Sequence, residues 1–232
     1  MSMIATDPVP HRIPLWPQTL GALAIILLWD ATGWDIAVAA WTATATGFPM
    51  RDHWLLTKVL HDGARAVVFV MLVWLLISIF RPTGVLRRLA RTERIWLFAA
   101  TVGAMLMVST FKRHSTISCP WDLQQFGGLA RYLSHWDWRN RDGGPGHCFP
   151  AGHASAGFAW VCGFFAFRRH GNLAFRWLAL ALAGGFVLGV AQQLKGAHFF
   201  SHTLWTGWLC WVWAWSCSAL LPQGTQATAV EP

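Results

Sequence analysis

The chain has 232 residues, is 55% hydrophobic and only 12% charged, about half the charged share of an ordinary soluble domain. Seventeen Trp stand against one Tyr, and Trp favours the membrane–water interface, where its ring is apolar and its N–H stays wet. These values exclude a typical soluble domain and indicate an integral membrane protein. The formal net charge of +8 would suit nucleic acid. The basic residues lie mostly between apolar segments, however, so topology accounts for them first and an anionic substrate second; no nucleic-acid partner is expected.

Six apolar windows approach the length of a membrane span: 14–29, 64–80, 95–111, 151–167, 173–191 and 203–221. The first could pass for a signal peptide. Its start is weakly basic (His11, Arg12) and Asp30-Ala-Thr-Gly-Trp is a poor cleavage site, so an uncleaved span is expected. The linker "RPTGVLRRLARTER" (81–94) carries five Arg and one Glu, and "RRHGNLAFR" (168–176) carries three Arg. Both are short, and the positive-inside rule places them in the cytoplasm. Both termini then lie inside, and 30–63, 112–150 and the turn near 192–202 face outward. Backbone in lipid must bond internally, so the expected fold is one all-α domain, a bundle of six membrane helices. "WDWRNRDGGPGHCF" (136–149) is expected to be loop. The last span, with "WTGWLCWVWAWSC", reads as lipid-facing belt and packing.

The loop 112–150 holds Lys112, Arg113, Arg131, Arg139 and Arg141, more positive charge than an outward loop usually carries, so part of it is expected to bind anions. Three outward span ends hold unusual polar residues: "FKRHSTISCPWD" (111–122), "GHCFPAGHASAGF" (146–158) and "QQLKGAHFFSHTLW" (192–205). The middle stretch reads as a helix start, with Pro150 in the first turn and Gly152 allowing close backbone approach to a ligand. Free N–H groups at such a start attract phosphate. Lys112 and Arg113 add cationic charge, and His153 and His198 can exchange protons near neutral pH. Taken alone, His198 and His202 fit a metal pair, a catalytic residue with its helper, or two satisfied interfacial histidines. The Glu of the metalloprotease pattern H-E-x-x-H is missing between them. His114 and His147 read as solvated loop residues.

Together the three stretches resemble the signatures of the type 2 phosphatidic acid phosphatase superfamily, which shares its core with vanadium haloperoxidases and bacterial acid phosphatases. That family carries K-x6-R-P, P-S-G-H and S-R-x5-H-x3-D. Lys112 is followed six intervening residues later by Cys119-Pro120. Pro150-Ala151-Gly152-His153 matches the second motif with Ala for Ser. Gly196-Ala197-His198 aligns with the nucleophilic histidine, and the match runs over about 60–220.

The resemblance implies a double displacement: His198 attacks phosphorus, and His153 protonates the leaving oxygen and then helps water hydrolyse the phosphohistidine. Lys112, Arg113, Gly152, Gln192 and Lys195 are the expected substrate-binding residues. No metal and no cofactor are expected. The sequence departs from the family at three positions, where Cys119 and Gln192 replace arginines and His202 replaces the aspartate that orients the nucleophile. His202 is expected to take over that orienting role, with Asp122, Asp137 or Asp142 as alternative carboxylate helpers. Lys112, Arg113 and Lys195 can supply charge, without the bidentate fork of Arg.

Cys119 and Cys148 both face outward beside the first two motifs, and either form a disulfide in an oxidising compartment or stand as free thiols. Cys162, Cys210 and Cys217 read as small buried residues. The implied function is removal of phosphate from a lipid phosphate or lipid pyrophosphate at the outer surface of a bacterial inner membrane. A lipid phosphotransferase, for example onto lipid A, or an inactive lipid-binding member is the alternative.

Overall fold

The computed structural model describes residues 14–137 and 139–221. Within them the chain is helical, with no strand and only isolated bridges. The helices are α1 (Trp16–Thr32), α2 (Trp34–Ala40), α3 (Ala64–Ser78), α4 (Arg91–His114), α5 (Gly152–Phe158), α6 (Cys162–Ala166), α7 (Asn172–Leu194) and α8 (Phe200–Cys217).

Each predicted window is helical, but the bounds differ. A π-helical stretch, Leu55–Gly63, runs directly into α3, so the second helical segment starts well before 64. The polar Lys58, His61 and Asp62 had hidden it. Helix α2 also lies in what the sequence suggested was outer loop. It follows α1 after a 74° bend at Gly33, whose φ of 66° is left-handed.

By length and composition, Leu55–Ser78, Arg91–His114 and Asn172–Leu194 can each cross a membrane, and the bent α1–α2 pair makes a fourth if it is one span. The windows at 151–167 and 203–221 behave differently. The first is broken into α5, a 3-10 turn at Ala159–Val161, and α6, and nearly all of it is buried at the centre of the fold. The second is α8, whose apolar character is carried by tryptophans.

Those tryptophans tie α8 to its neighbours. Trp208 and Trp211 donate to the Thr19 carbonyl and hydroxyl of α1 at 3.1 and 2.8 Å, and Trp213 donates to Ala100 O of α4 at 2.9 Å. An indole N–H away from water needs an acceptor, and here it finds one on a neighbouring helix. The core between α4, α5, α6 and α8 is built from Leu97, Ala104, Phe158, Val161, Phe165 and Cys210.

Small residues set the closest crossings. A Cβ on Gly157 would stand 2.1 Å from the Gly185 nitrogen, and one on Gly189 would stand 2.3 Å from the Thr203 methyl. Helices α5 and α7 therefore meet backbone to backbone, and α7 and α8 nearly so. These contacts fix the start of α5 beside the turn that joins α7 to α8.

Candidate active site

The three polar stretches converge on one end of the bundle through main-chain hydrogen bonds. His147 N and Cys148 N donate to Ser115 O and Ile117 O at 2.8 and 2.9 Å, which joins the second stretch to the first. Trp121 N donates to Gly196 O at 3.0 Å, which joins the first to the third. Ala151 N donates to His202 O at 3.3 Å, and Thr206 Oγ1 to Ala151 O at 3.2 Å. Gly196 is required where it stands: its φ is +73°, and a Cβ there would fall 2.3 Å from the Phe48 ring.

Cys119 and Cys148 are joined by a disulfide with Cα atoms 5.1 Å apart. It ties the loop after α4 to the entrance of α5. Cys148 Sγ lies 3.5 Å from Nδ1 of His198. Both sulfurs and a ring nitrogen of His198 fall within 4.8 Å of one another. A metal would need the thiolates, which the disulfide consumes.

Lys112 lies at the C-terminal end of α4, where the helix dipole favours a cation. A Cβ on Gly152 would stand 3.3 Å from Lys112 Cδ and 3.7 Å from its Nζ, so the ammonium lies over the first residue of α5. His153 follows Gly152, and its Nε2 is buried without a partner among the described residues. Gln192, at the end of α7, is 3% exposed, and its Nε2 is likewise buried with no partner among the described residues. Two buried donors or acceptors of this kind are costly unless a ligand or water meets them. Lys195 is also buried, and burial holds its ammonium below the usual lysine range.

His198 sits in the turn before α8 and is 3% exposed. Burial first, then the charges of Lys112, His202 and His153, holds its imidazole well below the usual value. The neutral form is favoured by this burial. Nδ1 is turned to the disulfide, which leaves Nε2 for chemistry.

His202 does not hydrogen-bond to His198, contrary to expectation. The rings meet edge to face with centroids 5.8 Å apart, and His202 Nδ1 donates instead to the Cys148 carbonyl at 3.1 Å. The loop aspartates do not orient His198 either. Asp122 accepts from Cys119 N and Trp121 Nε1, and burial holds its carboxyl above the usual range. Asp137 accepts from Arg139 N and from the Asn140 main chain and side chain. Asp142 accepts from Ser118 N, Ser118 Oγ and Gly144 N. Asp122 and Asp137 close their own turns, and Asp142 ties its loop to Ser118, 24 positions earlier. Arg113 is exposed, in a separate recess of about 340 Å³ with Ser109, Lys112 and His147.

Two other aspartates hold the site, and their sequence context gave little warning. Phe199, the N-cap of α8, offers no side-chain cap. Asp35 of α2 supplies one: it accepts from Ser201 N at 3.0 Å, from Ser201 Oγ, and from Trp29 Nε1 at 2.9 Å. Asp30 accepts from His135, Trp136 and Trp205 at 3.2, 3.0 and 2.9 Å. The α1–α2 corner thus clamps the first turn of α8, and with it His198 and His202. His61 was also missed; its ring lies against His153. The signal was present as His61-Asp62 beside an apolar run.

An apolar cavity of about 360 Å³ opens beside His198, between α2 and the end of α7. Val38, Ala39, Val190, Leu194 and Phe199 line it, and His198 forms part of its wall.

A sequence model described as the PAP2 superfamily matches residues 93–225, more than half of the chain. No curated protein and no solved structure matches.

Proposed function

The chain belongs to the PAP2 superfamily, and from that premise we propose that it removes phosphate from a lipid phosphate or lipid pyrophosphate through a phosphohistidine intermediate. Superfamily membership supports phosphatase chemistry on phosphate esters. The observation that carries the finer reading is the position of His198, a buried imidazole forming part of the wall of an apolar cavity, with Lys112 over the start of α5. A phosphate with an apolar tail fits such a boundary between charge and hydrocarbon.

In this reading Lys112, Lys195, Gln192 Nε2 and the N–H groups of the first turn of α5 hold the non-bridging oxygens. His198 Nε2 attacks phosphorus as the bond to the leaving oxygen breaks. The bound phosphate dianion favours the charged form of His153, which as imidazolium gives that oxygen a proton. Water then attacks the phosphohistidine, His153 takes a proton from it, and the N–P bond breaks to release phosphate. No step calls for a carboxylate on His198; the packing of Cys148 against Nδ1 and the clamp by Asp35 on α8 hold its ring instead.

Six spans, cytoplasmic termini and an outward site in a bacterial inner membrane complete the proposal. Its supports are the Arg-rich linkers and the disulfide, which persists in oxidising compartments.

The test is phosphate release from a panel of lipid phosphates in detergent by wild type and His198→Ala. The proposal expects release by wild type and a loss of at least about a thousandfold in the variant. Equal release by both removes His198 as nucleophile. Phosphate found on a second lipid rather than in solution moves the reading to phosphotransfer.

A further inference from the structure

The PAP2 match begins at residue 93, after the π-helical Leu55–Gly63. That stretch nonetheless reaches the reacting groups. The His61 ring stacks on the His153 ring with centroids 3.9 Å apart and planes 29° from parallel. His61 Nδ1 is 2.9 Å from Asp62 Oδ1, and Asp62 Oδ2 is 3.4 Å from Lys58 Nζ. The π-helical turn is a rare conformation that recurs at functional sites.

We infer that His61, its ring held by Asp62, is a positioning residue that fixes the plane of the general acid His153. The inference rests on the proposed phosphatase reaction. His153 needs such support because its Nε2 has no hydrogen-bond partner among the described residues to fix its angle. A flat ring packed on its face confines it to one plane and so fixes the direction of Nε2. Asp62 does the same for His61 by accepting from Nδ1. The Lys58–Asp62 pair is exposed on both sides, 76% and 52%, and contributes little. Arg65, Lys112 and Lys195 are the other charges felt by His153, and none of them stacks on it.

General-acid help matters most when the leaving oxygen is a poor leaving group. Activity should therefore be measured on an alkyl phosphate and on p-nitrophenyl phosphate, whose leaving group needs little proton. His61→Ala is expected to lower kcat on the alkyl phosphate about tenfold more than on the nitrophenyl ester. Asp62→Ala should show the same differential more weakly. His61→Phe, which keeps the aromatic face, should restore most of the loss. In a His153→Ala background the His61→Ala effect should vanish.

An equal fall on both substrates, or a His61→Phe variant as impaired as His61→Ala, would overturn the inference. Proton NMR of labelled histidine in micelles gives a readout without turnover. The His153 ring protons should lose their ring-current shift in His61→Ala and keep it in His61→Phe; no change in either overturns the stack. Wild-type protein inert on every phosphate ester refutes the phosphatase reading instead, and the NMR result still decides the contact.

Discussion

His202 gives its Nδ1 proton to the main-chain carbonyl of Cys148, at 3.1 Å. The same cysteine packs its sulfur against His198 Nδ1. One residue therefore touches both histidines of the third stretch, and the disulfide anchors that residue to the loop after α4. In the proposed reaction His202 acts on His198 through the backbone it holds, where the resemblance would place an orienting aspartate.

This arrangement makes His202 a donor rather than an anion. His202→Asp should fail to raise kcat, because a carboxylate would face the Cys148 carbonyl and repel it. His202→Asn keeps a donor and should retain more activity than His202→Ala, by about threefold to tenfold, the effect of one buried hydrogen bond. Comparing kcat for the three variants checks this. A gain in His202→Asp would show that the site lacks a carboxylate after all.

The pH profile follows from burial of His198. In the proposed reaction the nucleophile is the neutral imidazole, and its folded-state value lies well below the ordinary 6.5. Activity should persist as pH falls through 6.5 and decline only on reaching the lowered value. The folded protein also resists protonation that the unfolded chain accepts, so stability is lost progressively below 6.5. A kcat/KM profile with an acid limb centred at the ordinary value would contradict this account.

The disulfide closes a loop spanning 29 positions. In the chain-entropy model such a closure stabilises the fold by about 3–4 kcal/mol. Reduction, or Cys119→Ala with Cys148→Ala, should lower the melting temperature in detergent. Activity should fall below the melting transition too, since the bond holds the Cys148 carbonyl and sulfur against both histidines. A reduced protein with full activity would show that the bond serves stability alone.

Helix α5 carries His153, and its distance from α7 is set by Gly157 against Gly185. Any side chain at 157 meets backbone, which cannot rotate away. Gly157→Ala should cost about 1–3 kcal/mol through overpacking. It should also lower kcat, because the shift separates His153 from His198. Thermal melts and turnover of the same preparation test both effects.

The helices were largely legible in the sequence because an apolar window of span length can satisfy its backbone in lipid only by coiling into a helix. The three motif stretches were legible because Pro, Gly and His punctuate apolar runs at fixed intervals. The orienting network was not. Asp35 reaches Ser201 across 166 positions, and nothing local to either residue announces the pair. Asp30 looked like the edge of a span, yet it gathers groups from two distant segments. The stretch around His61 read as outer loop because Lys58, His61 and Asp62 interrupt the hydropathy that marks a helix. Asp122, Asp137 and Asp142 read as free carboxylates, but main-chain N–H groups satisfy them, Asp122 and Asp137 within their own turns and Asp142 from Ser118, 24 positions away.

The central claim is that His198 carries the phosphoryl group. Rapid acid-free quench of the protein with a lipid phosphate, followed by peptide mass spectrometry, tests it directly. The account predicts one added phosphoryl group on the peptide containing His198, labile to acid and absent from His198→Ala. Phosphate release by wild type with no phosphoryl group on His198 at any time would contradict it.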